Sequence, residues 1–530
     1  MRFFKTLNLT ILFVILFALS TSCNDTRDKS HEAKIEFFSL QPELNNDLDE
    51  AVMGEISEYT IKLSVPYNVS TTNLIVTFNY SGVRVEAANI EQISGVTSND
   101  FSSPVVYKVI SSNGETAEYT VIVTNNLPRV PRVFINVEGG AEFRDDEKEI
   151  YKNATVRILD LDNYYTSNTE FVGDGEIKGR GNSTWWGVPK KPYRIKLDEK
   201  KSLLGMSNDK NWALLANYYD KTLLRNITAF EMSRIAEMNW TPRSVSVEYY
   251  MNGTFRGVYT LTEHVRVSDE RINMELVSPN DNSGEALSGG YLLEVDFHFD
   301  EPYKFKTKKK ELPVMFKDPE EPTSNQLEYV QNYFNTAEEI LYSDNFTDPD
   351  YGYRKYIDVA SFINYYIVQE LSKNVDGNMR ASCYMAIPKN GKLEFPLVWD
   401  FDLALGNADY ITWEQGATSR EWDGWFIKTC SPWYDRLFED PEFVAELKTR
   451  WNELKPELNK LPDFIRERAE LLDESQERNY SPKPYGAGWS ITKPEWNTSI
   501  IRGSYDNEVN YLVFFVTKRL QWLDTNINGL

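Results

Sequence analysis

At 530 residues the chain exceeds what one ordinary hydrophobic core fills, so at least two domains are expected. Its 80 acidic and 57 basic residues give a formal charge of −23, which disfavours long-range attraction to nucleic acid or anionic lipid and leaves no nucleic-acid partner expected. A hydrophobic content of 41% and an aromatic content of 14% exclude a chain disordered throughout.

The N-terminus carries Arg2 and Lys5 ahead of an apolar run from Leu9 to Leu19, which ends in Leu19-Ser20-Thr21-Ser22-Cys23. The run falls short of the roughly 20 residues needed to span a bilayer, which indicates a cleaved signal. Small residues directly before a cysteine resemble a bacterial lipobox, implying cleavage before Cys23 and lipidation of its thiol. Residues 1–22 are therefore read as a lipoprotein signal peptide and residues 23–32 as a polar tether. The expected location is the bacterial cell envelope, with the chain held to the membrane through its N-terminal lipid, in the periplasmic or outer-surface leaflet. Two cysteines remain, Cys383 and Cys430, neither in a CxxC pair, and the histidines are only His31, His264 and His298. A bound metal would then be held by oxygen, which points to magnesium, manganese or calcium.

Residues 33–125 show short alternating runs at 59–65, 74–78, 105–110 and 119–123, separated by polar turns such as Ser112-Asn113-Gly114. This spacing predicts an antiparallel β-sandwich. Its ending, NGETAEYTVIVT, is similar to the last strands of immunoglobulin-like modules of secreted bacterial surface proteins, and its simplest role is a spacer. A linker with two prolines, Asn126 to Pro131, leads to an α+β region over 132–530. Strand-like runs at 133–137 and 154–159 open it. Helical periodicity follows from Asp358 to Glu370, from Phe443 to Leu454 and from Leu461 to Leu472.

Three islands carry candidate chemistry. In the first, the glycine-rich stretch from Gly173 through Gly179 and Gly181 to Trp185 precedes Lys190-Lys191-Pro192-Tyr193-Arg194-Ile195-Lys196-Leu197. Glycines permit backbone amides to approach a phosphate, and the pleat sets Arg194 and Lys196 together, opposite Tyr193, Ile195 and Leu197. A glycine-rich turn with surface cations gives the same pattern. The second island, Trp212 to Asn226, has Asp220 as a helix cap. A hairpin with an Asn252-Gly253 turn follows it. The third joins Glu370-Leu371-Ser372-Lys373-Asn374-Val375-Asp376-Gly377-Asn378 to the apolar run Phe395 to Trp399, which ends in Asp400-Phe401-Asp402. A buried run ending in two carboxylates is costly unless they bind a cation or paired donors. A D-x-D at a strand end also occurs in glycosyltransferases and calcium sites.

The ordered series GRGNSTW, KKPYRIKL, WALLANYYDKTLLRN, NGTFRGVYTLTEHV, SKNVDGN and VWDFDLALGN, with the later SPWYDRLFEDPEFVAELKTRWNEL, resembles the CotH family of atypical, spore-coat-type protein kinases. The resemblance implies a two-lobed, protein-kinase-like α+β domain over 132–530. It also implies ATP with Mg2+ or Mn2+ as cofactors, and phosphorylation of serine or threonine on protein partners. In its terms Asp376 matches the catalytic-loop aspartate and Asp400 a metal-binding aspartate, with Asp402 and Asn378 as further metal ligands. Lys196, or alternatively Arg194, matches the ATP-contacting cation, with Gly179 and Gly181 beside the nucleotide. The sequence has no H-R-D and no G-x-G-x-x-G, and Glu231 is the candidate for the helix glutamate that pairs the lysine. The rival reading is a non-catalytic surface scaffold, or a glycan-utilisation or adhesion lipoprotein, with Trp422 and Trp425 as candidates for exposed aromatics.

Overall fold

The computed structural model describes residues 31–48, 51–66, 69–126, 130–160, 165–166, 170–408, 411–412, 417–418, 420–483, 486–495 and 498–530. The signal peptide, Cys23 and most of the tether lie outside the described residues. The chain divides into two compact units, Met1–Pro128 and Arg129–Leu530.

The first unit is all-β. A four-stranded sheet runs in the order Val52–Met53, Lys34–Leu40, Leu74–Ser81, Ser98–Asn99. A six-stranded sheet runs Glu55–Ser57, Thr60–Pro66, Thr116–Asn126, Val105–Ile110, Arg84–Ala87, Ile90–Glu91. Alternation decides which side chains turn inward. Phe38, Val76 and Phe78 of the first sheet share a core with Leu63, Tyr107 and Val121 of the second. The pairing is antiparallel except for Thr60–Pro66, which lies parallel to Thr116–Asn126 with Ile61 opposite Val121.

The second unit is mixed α+β. Its β-rich part is a closed seven-stranded barrel, in the order Arg132–Val137, Lys152–Leu159, Glu170–Gly179, Tyr193–Ser202, Asn208–Leu215, Thr254–Glu263, Ser244–Met251. Closure comes from a parallel pairing of Arg132–Val137 with Ser244–Met251, in which Val133 faces Tyr249. Val133, Ile158, Ile177, Ile195, Trp212, Val247 and Leu261 fill the interior. A hairpin joins the last two strands through Asn252 and Gly253, at φ of 50° and 77°, a left-handed pair that this dipeptide adopts readily. The sequence points to strands here but not to their closure, because no periodicity reports a pairing between strands so far apart in the chain.

A four-stranded antiparallel sheet follows, in the order Lys304–Lys306, Pro313–Asp318, Tyr291–Val295, Cys383–Ile387. The helices Ser324–Leu341, Val359–Ser372, Pro441–Leu458, Leu461–Leu471, Asp473–Tyr480 and Tyr505–Asn528 complete the unit. Asp358 starts Val359–Ser372 by accepting the Ser361 amide at 2.8 Å. Arg519 and Glu370, both fully buried, pair at 2.5 Å. Arg519 also donates to the carbonyls of Trp422 and Gly424, at 3.1 and 2.7 Å, tying the C-terminal helix to the segment that holds both tryptophans. Trp422 and Trp425 pack against the core rather than standing free, with Trp425 edge-on to Trp522 at 4.9 Å between centroids. Cys383 and Cys430 are both buried. Among the described residues no helix is long and apolar enough to cross a membrane.

Candidate functional site

The barrel strands supply one wall of a cleft of about 1010 Å3. On Tyr193–Ser202 the residues Tyr193, Ile195 and Leu197 are buried in the barrel. The pleat therefore turns Arg194 and Lys196 outward, into the cleft lining. Arg194 Nη2 donates to Asn211 Oδ1 at 3.0 Å. Lys196 is half exposed and lies 3.9 Å from Glu176 Oε2, a loose contact. Arg180, just beyond the neighbouring strand, stacks its guanidinium over Trp399 at 5.5 Å from the ring centroid. Burial holds Arg180 below its usual proton affinity, against the opposing pull of Asp400. His264 lies well below its ordinary value, first through burial and then through Arg194 and Arg180.

The facing wall is acidic. The helix Val359–Ser372 ends with Lys373 in the left-handed region, and the loop that follows carries Asp376. Asp376 Oδ1 accepts from Arg380 Nη1 at 3.1 Å. The apolar run beyond the strand Cys383–Ile387 buries Phe395, Leu397 and Trp399, then turns at Asp400, whose φ is 65°. Asn226 Oδ1 accepts the Phe401 amide at 2.8 Å, and Asn407 Nδ2 donates to the Asp402 carbonyl at 2.6 Å. Asn374 Nδ2 donates to the Asp400 carbonyl at 3.1 Å, joining the two aspartate loops.

The carboxylates repel one another in poorly hydrated surroundings. Burial and then the charge of Asp400 push Asp376 up to about 7, with Arg380 opposing. Asp400 is accessible from the cleft, yet enclosing protein still raises its proton affinity, against Arg180. Asp402 is buried and lies well above the carboxylate range, through burial and then Asp400, Asp220 and Asp376. A divalent cation relieves this kind of crowding. Among the described residues no group of three or more His, Cys, Asp and Glu is placed to hold a metal by itself.

Seven residues singled out from the sequence line this one cleft: Asp376, Asp400, Asp402, Arg194, Lys196, Gly179 and Gly181. Asn378 does not line it. It is buried behind the loop, where its Oδ1 has no hydrogen-bond partner among the described residues. The two glycines have steric reasons of their own. A Cβ on Gly179 would fall 2.5 Å from the Trp185 ring, and Gly181 has a φ of 79°. Glu231 pairs locally with Arg234 at 2.6 Å and does not reach a cleft lysine. Among the lysine–glutamate pairs that line the cleft, Lys317 lies 3.3 Å from Glu294 on the adjacent strand and 2.6 Å from Glu301, and Lys178 lies 2.5 Å from Glu149. Asp220 supports the helix Arg225–Ile235 by accepting the Arg225 amide at 2.7 Å, and pairs with the same residue's guanidinium at 2.5 Å, wholly buried. Sequence reasoning missed Arg180, the Asn217–Asn226 pair, and Asp296 with His298. Arg180, inside GRGNSTW, and Asn217 and Asn226, inside WALLANYYDKTLLRN, stood in stretches already singled out, whereas Asp296 and His298 did not.

Barrel, sheet and helices define an α+β unit whose polar side chains converge on one cleft. Residues 177–523 match the family model described as CotH kinase protein, and the chain belongs to the CotH family. Residues 43–123 match the model described as SGBP, N-terminal. Two solved structures are similar over parts of the chain. One, from Bacteroides fragilis and provisionally described as a secreted protein, is 20% identical over 19% of this chain and 99% of its own, with a TM-score of 0.14. The other, from Bacteroides thetaiotaomicron and provisionally described as a glycoside hydrolase, is 15% identical over 33% of this chain, with a TM-score of 0.16; this chain spans about half of it, 54%. No curated protein matches the chain.

Proposed function

We propose that the chain is a lipid-anchored cell-envelope kinase, two-lobed in the manner of protein kinases, that transfers phosphate from ATP to serine or threonine on protein partners. The observation that carries this reading is the opposition of Arg180, Arg194 and Lys196 to Asp376, Asp400 and Asp402 across one cleft. Phosphoryl transfer needs cations against the phosphates, a metal-binding carboxylate and a carboxylate near the acceptor hydroxyl. Mg2+ or Mn2+ is held in such sites by one or two carboxylates together with phosphate oxygens and water, which suits a site short of three ligands of its own. Asp400 and Asp402 would hold the ion, which neutralises charge on the transferred phosphoryl group. Asp376 orients the acceptor hydroxyl, and Arg180 and its neighbours bind the phosphates. The location rests on the apolar N-terminal run and Cys23, in line with the SGBP match at 43–123.

The test is incorporation of labelled γ-phosphate from ATP with Mg2+ or Mn2+, into the chain and into dephosphorylated casein, with Asp376→Ala and Asp400→Ala alongside. Label with the wild type and none with either variant supports the reading. A second reading, a non-catalytic surface scaffold or a glycan-utilisation or adhesion protein, rests on the SGBP match and on the scarcity of ATP outside the cytoplasm. Absence of both label and any nucleotide-induced thermal shift would favour it and end the catalytic one.

A further inference from the structure

Building on the phosphotransfer reading, we infer that His298 takes the proton from the acceptor hydroxyl, and that Asp296 positions it for that step. The backbone ties both residues to the loop of Asp376. Strand Tyr291–Val295 pairs with Cys383–Ile387 with Val295 opposite Cys383. Beyond the strand end the Phe297 amide donates to the Arg380 carbonyl at 2.8 Å, and the Ser382 amide donates to Asp296 Oδ2 at 3.1 Å. Residues 296–298 are thus stitched to residues 380–382, one turn past Asp376.

The side chains form an oriented dyad. Asp296 Oδ1 accepts the His298 main-chain amide at 2.8 Å and lies 2.7 Å from His298 Nδ1. With the Ser382 amide on Oδ2, both oxygens of Asp296 are engaged, so the carboxylate is fixed and fixes the ring in turn. A carboxylate on Nδ1 keeps the proton on that nitrogen and leaves Nε2 as the acceptor, the arrangement of a base with an orienting carboxylate. Nε2 has no hydrogen-bond partner among the described residues. The ring lines the cleft and its side chain is 35% exposed. Phe297 lies against it at 4.1 Å between centroids, and the Arg380 guanidinium covers Phe297 at 4.7 Å. Asp376 and Asp400 lie within electrostatic reach of the His298 ring.

The division of labour follows. Asp376, with Oδ1 engaged by Arg380, uses its other oxygen to orient the hydroxyl. His298 Nε2 accepts the hydroxyl proton as the serine or threonine oxygen bonds to the γ-phosphorus of ATP. The bond from that phosphorus to the β–γ bridging oxygen breaks, and ADP leaves with the electron pair. Water then takes the proton from His298. A histidine that merely closes its own loop would use Nδ1 in the same way but would contribute nothing through Nε2.

The experiment uses the full mature chain, labelled ATP, Mn2+ and dephosphorylated casein, with His298→Ala, His298→Gln and Asp296→Asn. Loss of a positioned base costs about 100-fold or more in turnover. The expected result is a kcat lowered by about that factor in both His298 variants, with the KM for ATP within about 2-fold of wild type. Added imidazole should restore part of the His298→Ala rate, and Asp296→Asn should lower kcat in the same direction. Wild-type kcat in His298→Gln, or a folded His298→Ala variant that imidazole does not rescue, would overturn the inference while leaving the kinase reading intact. A wild-type chain that transfers no label would remove the kinase reading, and this one with it.

Discussion

Asn226 Oδ1 accepts the main-chain amide of Phe401 at 2.8 Å, which puts the first turn of the helix Arg225–Ile235 directly behind the residue between Asp400 and Asp402. The same side chain donates to Asn217 Oδ1 at 3.4 Å, and Asn217 Nδ2 donates to Thr260 Oγ1 on a barrel strand at 2.8 Å. A line of side-chain hydrogen bonds therefore runs from the barrel wall to the turn that carries the two aspartates. The geometry of those carboxylates depends on a helix and a strand far from them in sequence.

Replacing Asn226 by leucine strands the Phe401 amide and one side of Asn217 in a buried setting. Each orphaned group costs about 1–3 kcal/mol. We expect Asn226→Leu to lower unfolding stability by that order in urea titration. It should also shrink the thermal shift produced by Mn2+ with ATP more than the stability loss alone explains. An unchanged metal-and-nucleotide shift in the variant would mean that the turn is held by Asn374 and Asn407 without help from Asn226.

Arg519 and Glu370 form a clamp that is more than an ion pair. Glu370 Oε1 and Oε2 also accept the amides of Phe426 and Lys428, at 2.8 and 2.9 Å. Removing one partner of a buried pair leaves an uncompensated charge and typically costs about 3–5 kcal/mol. Arg519→Met should destabilise by about that amount, and Arg519→Met with Glu370→Gln should recover part of it. Equilibrium denaturation of both variants checks the claim, which fails if the double variant is no more stable than the single one.

Lys373 ends the helix that leads to Asp376 and donates from Nζ to the Asp423 carbonyl. Burial first, and Arg519 second, hold its ammonium down to about 7 from an ordinary 10.5. Between those values the unfolded chain keeps a proton that the native state has shed, so stability rises with pH across the window. Below pH 7 both states carry the charge and the native state bears the full penalty. Lys373→Met should therefore stabilise the protein by roughly 2–4 kcal/mol at pH 6. That advantage should shrink towards pH 10, where the lost hydrogen bond to Asp423 makes it vanish or reverse. A difference that stays constant from pH 6 to 10 would contradict the assignment.

What the sequence disclosed is what local rules encode. Alternation in Tyr193-Arg194-Ile195-Lys196-Leu197 sorts the barrel core from the cleft wall, Asp358 announces its helix, and Asn252-Gly253 announces its turn. Barrel closure was hidden because it depends on Val133 meeting Tyr249, a pairing without a local signature. Gly179 is next to the cleft, but its lack of a side chain is already accounted for by Trp185 packed above it, a contact no motif foretells. Glu231 has the right spacing on its helix, yet a partner three residues on, Arg234, satisfies it. Asp296 and His298 lie in no recognised motif, because the dyad exists only once two strands have paired.

On the proposed phosphotransfer reading Arg180, rather than Lys196, is the cation set to meet the phosphates, and the two can be separated by experiment. Lys196 is half exposed and sits loosely beside Glu176, so solvent screens its charge. The Arg180 guanidinium has no hydrogen-bond or ion-pair partner among the described residues. It lies on Trp399, one residue before Asp400, in surroundings that already depress its proton affinity. A partly buried guanidinium without an anion gains from binding one, and its planar fork suits phosphate oxygens. Arg180→Ala should weaken ATP binding by roughly tenfold or more, whereas Lys196→Ala should change it by roughly two- to threefold. Isothermal titration with ATP and Mn2+ measures both. A larger loss in Lys196→Ala than in Arg180→Ala would return the nucleotide-contacting role to the outward face of the strand Tyr193–Ser202.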